Sequence, residues 1–159
     1  MKEKKIIEVY SDGSCNPKFK IGGWAAIIFF QNKKMILKGI QFNTTHNRME
    51  LLGTIKALEY IKENFLKFNY IKIYSDSQYL VRLLERKEKL KKSDFLKKSG
   101  EPIQNNDLVK DIVTYIDSMH IEFVKVKAHQ KKSDKKNFNR EVDILSRNLI
   151  RTYIKENFS

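Results

Sequence analysis

Tyr70-Ile71-Lys72-Ile73-Tyr74 alternates apolar and polar side chains, then breaks at Ser75-Asp76-Ser77, a turn and helix start. Before it, Leu51, Leu52, Ile55, Leu58, Ile61 and Phe65 recur at helical spacing. A helix that feeds a strand ending on an aspartate reads as the second half of a β-α-β unit. The first half starts at Ile6 to Tyr10, a β-rich run that stops at Ser11-Asp12-Gly13. Between them, Gly22-Gly23 opens the apolar run Trp24 to Phe30, Gln31-Asn32-Lys33 breaks it, and Met35 to Phe42 reads as the return strand. Three strands with short connections point to an antiparallel meander.

Downstream, Gln78 to Leu84 reads as a short helix and Arg86 to Lys98 as a basic stretch closed by Gly100 and Pro102. Asp107 to Ile116 is a helix, Ile121 to Val126 a fifth strand, Lys127 to Asn139 a polar loop, and a last helix runs from Arg140 toward Glu156. Thr45 or Asn47 caps the first helix, and Asn105 or Asn106 caps the later one. Gly53, interior to the first helix, costs about 1 kcal/mol against Ala and so marks close packing. The order βββαβααβα, without internal repeat or linker, is an α/β mixed sheet with helices on its faces, in one domain over 1–159.

Composition narrows the function. Of 159 residues 41% are hydrophobic, which excludes wholesale disorder. One cysteine excludes a disulfide framework and a Cys-cluster zinc site, and Cys15 has no His or Asp partner in sequence to mark a nucleophile. No apolar run approaches the roughly 20 residues of a membrane span, and the basic N-terminus lacks an apolar export core. A cytoplasmic, monomeric protein without a membrane partner is expected. The formal charge of +13, from 32 basic and 19 acidic residues, points to a polyanion, most simply nucleic acid.

Four acids stand at element ends. Asp12 and Asp76 close the first and fourth strands; if those strands are parallel neighbours, both acids share the carboxyl edge, where α/β sheets bind ligands. Glu50 and Asp143 lie in the first turns of their helices, beside the apolar stripes. Singly, each reads as turn, cap or helix-dipole chemistry. Together, carboxylates held close need a cation, and hard oxygens select Mg²⁺ or Mn²⁺. Spacing alone does not bring the four together.

The motifs resemble those of type 1 ribonuclease H. Tyr10-Ser11-Asp12-Gly13-Ser14 is similar to that family's first-strand motif, Asn47-Arg48-Met49-Glu50-Leu51 to its first-helix motif, and Tyr74-Ser75-Asp76-Ser77-Gln78-Tyr79 to its fourth-strand motif. Val126-Lys127-Ala128-His129 followed by Asn139-Arg140-Glu141-Val142-Asp143 resembles its His loop and final helix. The resemblance implies a five-stranded mixed sheet in the order 3-2-1-4-5 and an endonuclease that hydrolyses the RNA strand of RNA–DNA hybrids, leaving 5′-phosphate and 3′-hydroxyl ends. It places Asp12, Glu50, Asp76 and Asp143 as ligands of two Mg²⁺ (or Mn²⁺) ions with substrate bound, and His129 as the aid to proton transfer or product departure. It makes Asn16, Asn47, Gln78 and Asn139 contacts to the hybrid, with Thr45 and Arg48 near phosphate. It makes Arg86, Lys87, Lys89, Lys91, Lys92, Lys97 and Lys98 the handle for the DNA strand, with Phe95 as an aromatic contact and Leu90 and Leu96 as packing.

Two departures stand out. The handle carries no tryptophan, and the chain after Asp12 reads Cys15-Asn16-Pro17-Lys18-Phe19-Lys20-Ile21 where many members are glycine-rich. Two other readings compete. A non-catalytic hybrid- or duplex-RNA-binding module has no use for clustered acids. A resolvase- or transposase-like DNA nuclease has no use for 2′-hydroxyl readers. A domain cut from a reverse transcriptase is a further alternative, against which Met1 and the complete set of elements favour a separate chain.

Overall fold

The structure, a computed structural model, describes residues 4–127 and 137–158. Five strands form one sheet in the order β3-β2-β1-β4-β5. They are β1 (Ile6–Asn16), β2 (Ile21–Phe30), β3 (Lys33–Phe42), β4 (Tyr70–Ser75) and β5 (Ile121–Lys125). β1 pairs antiparallel with β2 and β2 with β3, whereas β1–β4 and β4–β5 are parallel. The meander and the crossover expected from the sequence are both present.

The helices are α1 (His46–Asn64), α2 (Gln78–Glu85), α3 (Lys87–Lys92), α4 (Asn106–Ser118) and α5 (Phe138–Phe158). α3 departs from the expected order: six residues of the basic stretch are helical, held by Leu90, which is buried against α4's Leu108, Val109 and Ile112. Thr45 is the cap of α1, its hydroxyl accepting from the Arg48 N–H at 3.3 Å. Asn105 precedes α4 in a left-handed conformation and makes no side-chain cap bond.

The fully buried Ile7, Val9, Ala26, Ile28, Ile71 and Ile73 meet Ala57, Leu58 and Ile61 of α1. Each of the Ile, Val and Leu side chains among them contributes about 1.5–3 kcal/mol on leaving water. α5 covers Ala25 and Ile27 of β2 with Val142. Both helices come unusually close to the sheet through glycines. A Cβ on Gly13 would lie 2.3 Å from the Met49 carbonyl carbon, and one on Gly23 would lie 2.4 Å from the Ser146 oxygen. Gly53, as its interior position implied, lies against the sheet: its Cβ would stand 3.1 Å from the Asp12 carbonyl oxygen.

Asp12 does not end its strand. β1 continues to Asn16 because its ladder with β2 runs on to Asn16↔Ile21, while the parallel ladder with β4 stops at Tyr10↔Tyr74. Asp12 therefore sits two residues past the last β1–β4 pair, at the carboxyl edge relative to β4, where the β4 chain leaves through Asp76.

Candidate active site

Three of the four expected acids converge. Asp12, Glu50 and Asp76 each place a carboxylate oxygen within 4.8 Å of the other two. Gly13 allows this: without a side chain there, the start of α1 lies directly on β1 and carries Glu50 to Asp12. Asp12 and Glu50 are buried, at 4% and 5% exposure. The Asp12 carboxylate accepts from the Gly13 N–H at 2.9 Å, and its pKa is nevertheless pushed up to about 9 by burial and by the charges of Glu50 and Asp76. Burial also raises Glu50, against the opposing pull of His46.

Asp143 is outside that mutual set. It lines the same cleft, of about 310 Å³, and its Oδ1 is 2.9 Å from Arg147 Nε one turn along α5. The sequence reading passed over His46, whose Nε2 lies 3.0 Å from Glu50 Oε1. The i,i+4 spacing of a His and an acid at a helix start was the available signal. The other Glu50 oxygen, Oε2, is buried without a hydrogen-bond partner. An oxygen-rich, partly unsatisfied anionic cluster of this kind fits a hard divalent cation.

Around the acids, Asn47 and Gln78 line the cleft, and Gln78 also accepts from Lys125 Nζ. Asn139 is buried at the start of α5, where its amide donates to the Lys127 carbonyl at 3.3 Å. Asn16 serves the β1–β2 turn, its side-chain oxygen accepting from the N–H groups of Lys18 and Phe19 at 3.0 and 3.2 Å. Arg48 turns away to α4, in a two-pronged pair with Asp107 at 3.0 and 2.8 Å. It is neither a solvated charge nor free for phosphate. His129 lies outside the described residues.

In the basic stretch, Lys87 and Lys91 are tied to Asp117 of α4, Lys87 at 3.0 Å. Arg86, Lys89, Lys92, Lys97 and Lys98 are exposed and form no ion pair among the described residues. Leu96, expected to pack, is exposed, while Phe95 is partly buried. Left-handed backbone at Asp94 and Phe95 turns Phe95 onto the α2–α4 core beneath Lys110 and leaves Leu96 37% exposed. Leu90 packs as expected.

Comparison with known proteins decides the family, since RNase H matches residues 4–151. The chain belongs to the ribonuclease H family. The Ribonuclease H of Caldanaerobacter subterraneus subsp. tengcongensis is 37% identical over 155 residues, 96% of each chain. The Ribonuclease HI of Xylella fastidiosa is 35% identical over 144 residues, 90% of this chain and 91% of that one. In fold, the chain superposes with a TM-score of 0.76 on LC9-RNase H1, a type 1 RNase H with the type 2 active-site motif. That pair is 22% identical and covers 93% of this chain and 73% of the other. A ribonuclease H is an endoribonuclease acting on the RNA strand of RNA–DNA hybrids, and the two-metal mechanism is the standard one for the family. Among the described residues no helix is long and apolar enough to cross a membrane.

Proposed function

We propose that Asp12, Glu50 and Asp76 hold a divalent cation, Mg²⁺ or Mn²⁺, and that Asp143 joins them when a hybrid occupies the cleft, giving two ions with substrate bound. The unpartnered, buried Glu50 Oε2 within the three-acid set is the observation that carries this reading. Held there by Asp12, Glu50, Asp76 and Asp143, the ions would supply activation of the attacking water and charge neutralisation at the leaving 3′-oxygen, consistent with 5′-phosphate and 3′-hydroxyl ends.

The chain's own residues supply position. The Gly13 N–H orients the Asp12 carboxylate, and His46 fixes one Glu50 oxygen while the other stays open. Asn47 and Gln78, on the rim of the cleft, each offer a donor and an acceptor to 2′-hydroxyls of the RNA strand in the minor groove. Asn139 is a third such contact from α5, while Asn16 and Thr45 act on the hybrid on the sequence resemblance. Arg48 acts on phosphate only by exchanging its Asp107 partner. His129 takes the proton-transfer or product-departure role on the sequence resemblance. Arg86, Lys89, Lys92, Lys97 and Lys98 hold the DNA strand as point charges, with Lys87 and Lys91 anchoring the segment to α4. Residues 1–159 act as a single domain and as a monomer.

The deciding experiment incubates the protein with a labelled RNA–DNA hybrid beside duplex DNA and duplex RNA, with and without Mg²⁺. Cleavage of the hybrid's RNA strand alone, dependent on metal and lost in Asp12→Asn, is the expected result. Metal-independent cutting, or equal rates on duplex DNA, overturns the assignment.

A further inference from the structure

A second cleft, of about 260 Å³, opens along α5 and is lined by Asn139, Arg140, Asp143, Arg147, Asn148 and Arg151. It shares Asp143 and Arg147 with the acidic cleft, so the two form one continuous surface. Arg140, Arg147 and Arg151 stand at i, i+7 and i+11, on one face of the helix. Arg147 reaches back to Asp143, while Arg140 and Arg151 make no ion pair with an acid among the described residues. The neighbouring acid Glu141 is turned to β3, paired with Lys34 at 2.8 Å. The cleft thus has its acid, Asp143, about one turn from both Arg140 and Arg147, with Arg151 a further turn along the helix. Among its lining residues Asn139 is only 5% exposed, and its side-chain oxygen is buried without a hydrogen-bond partner.

We propose that this groove carries the RNA strand beyond the scissile phosphate, with Arg140 and Arg151 on backbone phosphates about five nucleotides apart and the Asn139 oxygen accepting from a ribose 2′-hydroxyl. The inference rests on the hybrid-cleaving reading above and extends its footprint. Guanidinium forks suit phosphate oxygens, and a buried acceptor without a donor suits a sugar hydroxyl, which a DNA strand lacks. The strand is the RNA because the groove contains Asp143, beside the acids that act on that strand. Eleven residues of helix span about 16 Å, the axial length of about five nucleotides of one strand. The substrate would therefore be gripped at two places, by the basic segment near α3 on the DNA and by α5 on the RNA.

The test compares wild type with Arg140→Ala/Arg151→Ala and with Arg140→Lys/Arg151→Lys. The substrates are long hybrids with one central cleavage site and hybrids whose RNA is shortened by about five nucleotides on one side of that site or the other. On the long hybrid the double alanine variant should show a several-fold higher KM with kcat retained. Its slope of log affinity against log salt should fall by about 1.4–1.8, at 0.7–0.9 per phosphate contact. The lysine variant should recover most of that slope. One of the two shortened hybrids should abolish the difference between variant and wild type. Deoxynucleotides in the same five positions should raise the wild-type KM. An alanine variant with wild-type KM and salt slope on the long hybrid overturns the groove, provided the wild type cuts it. A wild type that cuts no hybrid overturns the underlying function instead. A deoxynucleotide stretch without effect overturns the hydroxyl contact.

Discussion

Removing one charge from the acid cluster should stabilise the metal-free protein while ending its activity. In Asp12→Asn the side chain keeps its shape and its bond from the Gly13 N–H but loses its charge. Two unit charges 4.8 Å apart, the outer limit of the Asp12–Glu50–Asp76 set, repel by about 3.5 kcal/mol at an effective dielectric constant near 20. Because burial and the neighbouring charges raise the Asp12 carboxyl to about 9, part of that repulsion is already relieved by protonation, and a gain of about 1–3 kcal/mol is expected at pH 8. At about 2–4 °C per kcal/mol for a chain of this size, Tm should rise by about 2–12 °C.

The sign with pH follows from the raised Asp12 carboxyl. Its folded pKa of about 9 exceeds the ordinary 3.8, so the folded state binds the extra proton between those values. The wild type's stability therefore falls as pH rises through that window, and the advantage of Asp12→Asn grows from pH 5 to pH 8. Thermal unfolding in chelator, followed by circular dichroism, measures both. Added Mg²⁺ should raise the wild-type Tm by linkage and move the variant much less. A variant that melts at or below wild type in chelator at pH 8 would refute the picture of a repulsive cluster awaiting a cation.

Other consequences of the geometry can be measured in the same way. Gly13→Ala places a methyl 2.3 Å from the Met49 carbonyl carbon, so it should cost at least the 1–3 kcal/mol typical of overpacking and weaken Mg²⁺ binding by moving Glu50 away from Asp12; calorimetry with unchanged metal affinity would contradict the assembly argument. Asp107→Asn should cost about 0.2–1 kcal/mol at pH 7, the range for surface ion pairs. Arg48 holds the Asp107 carboxyl below its ordinary value, so this contribution is present above about pH 4 and lost as pH falls through the folded pKa. Urea titrations of wild type and variant should therefore converge as the pH is taken down through the lowered Asp107 pKa. Replacing Lys89, Lys92, Lys97 and Lys98 by Ala should raise KM for the hybrid and flatten its salt dependence by about 2–4 in slope while sparing kcat; Lys91 is left in place because it holds α3 to Asp117. Collapse of kcat with KM unchanged would instead make this segment a support of the active site.

Much of the scaffold was legible because its signals are local. Period two in Tyr70–Tyr74, period 3.6 from Leu51 to Phe65 and the Thr45 cap each depend on neighbours within a few residues. What the sequence hid depends on partners far along the chain. Ser11-Asp12-Gly13 has turn chemistry, yet β1 runs through it because Asn16 pairs with Ile21 across a sheet edge that only the folded meander supplies. α3 has a single apolar anchor, Leu90, too sparse for a periodic stripe, and it is helical because α4 offers that anchor a pocket. The Arg48–Asp107 pair joins residues 59 apart, so no local pattern could show that this guanidinium is already engaged. Phe95 rather than Leu96 turns to the core because non-glycine residues adopt left-handed backbone at 94 and 95, which their side chains do not announce. The site has the same character. Asp12, Glu50, Asp76 and Asp143 are each ordinary in their own segment, and their chemistry exists only in the space between four elements. Gly13 joins the two levels: in sequence it reads as a turn residue, and in the fold its missing side chain is the room through which α1 brings Glu50 to Asp12.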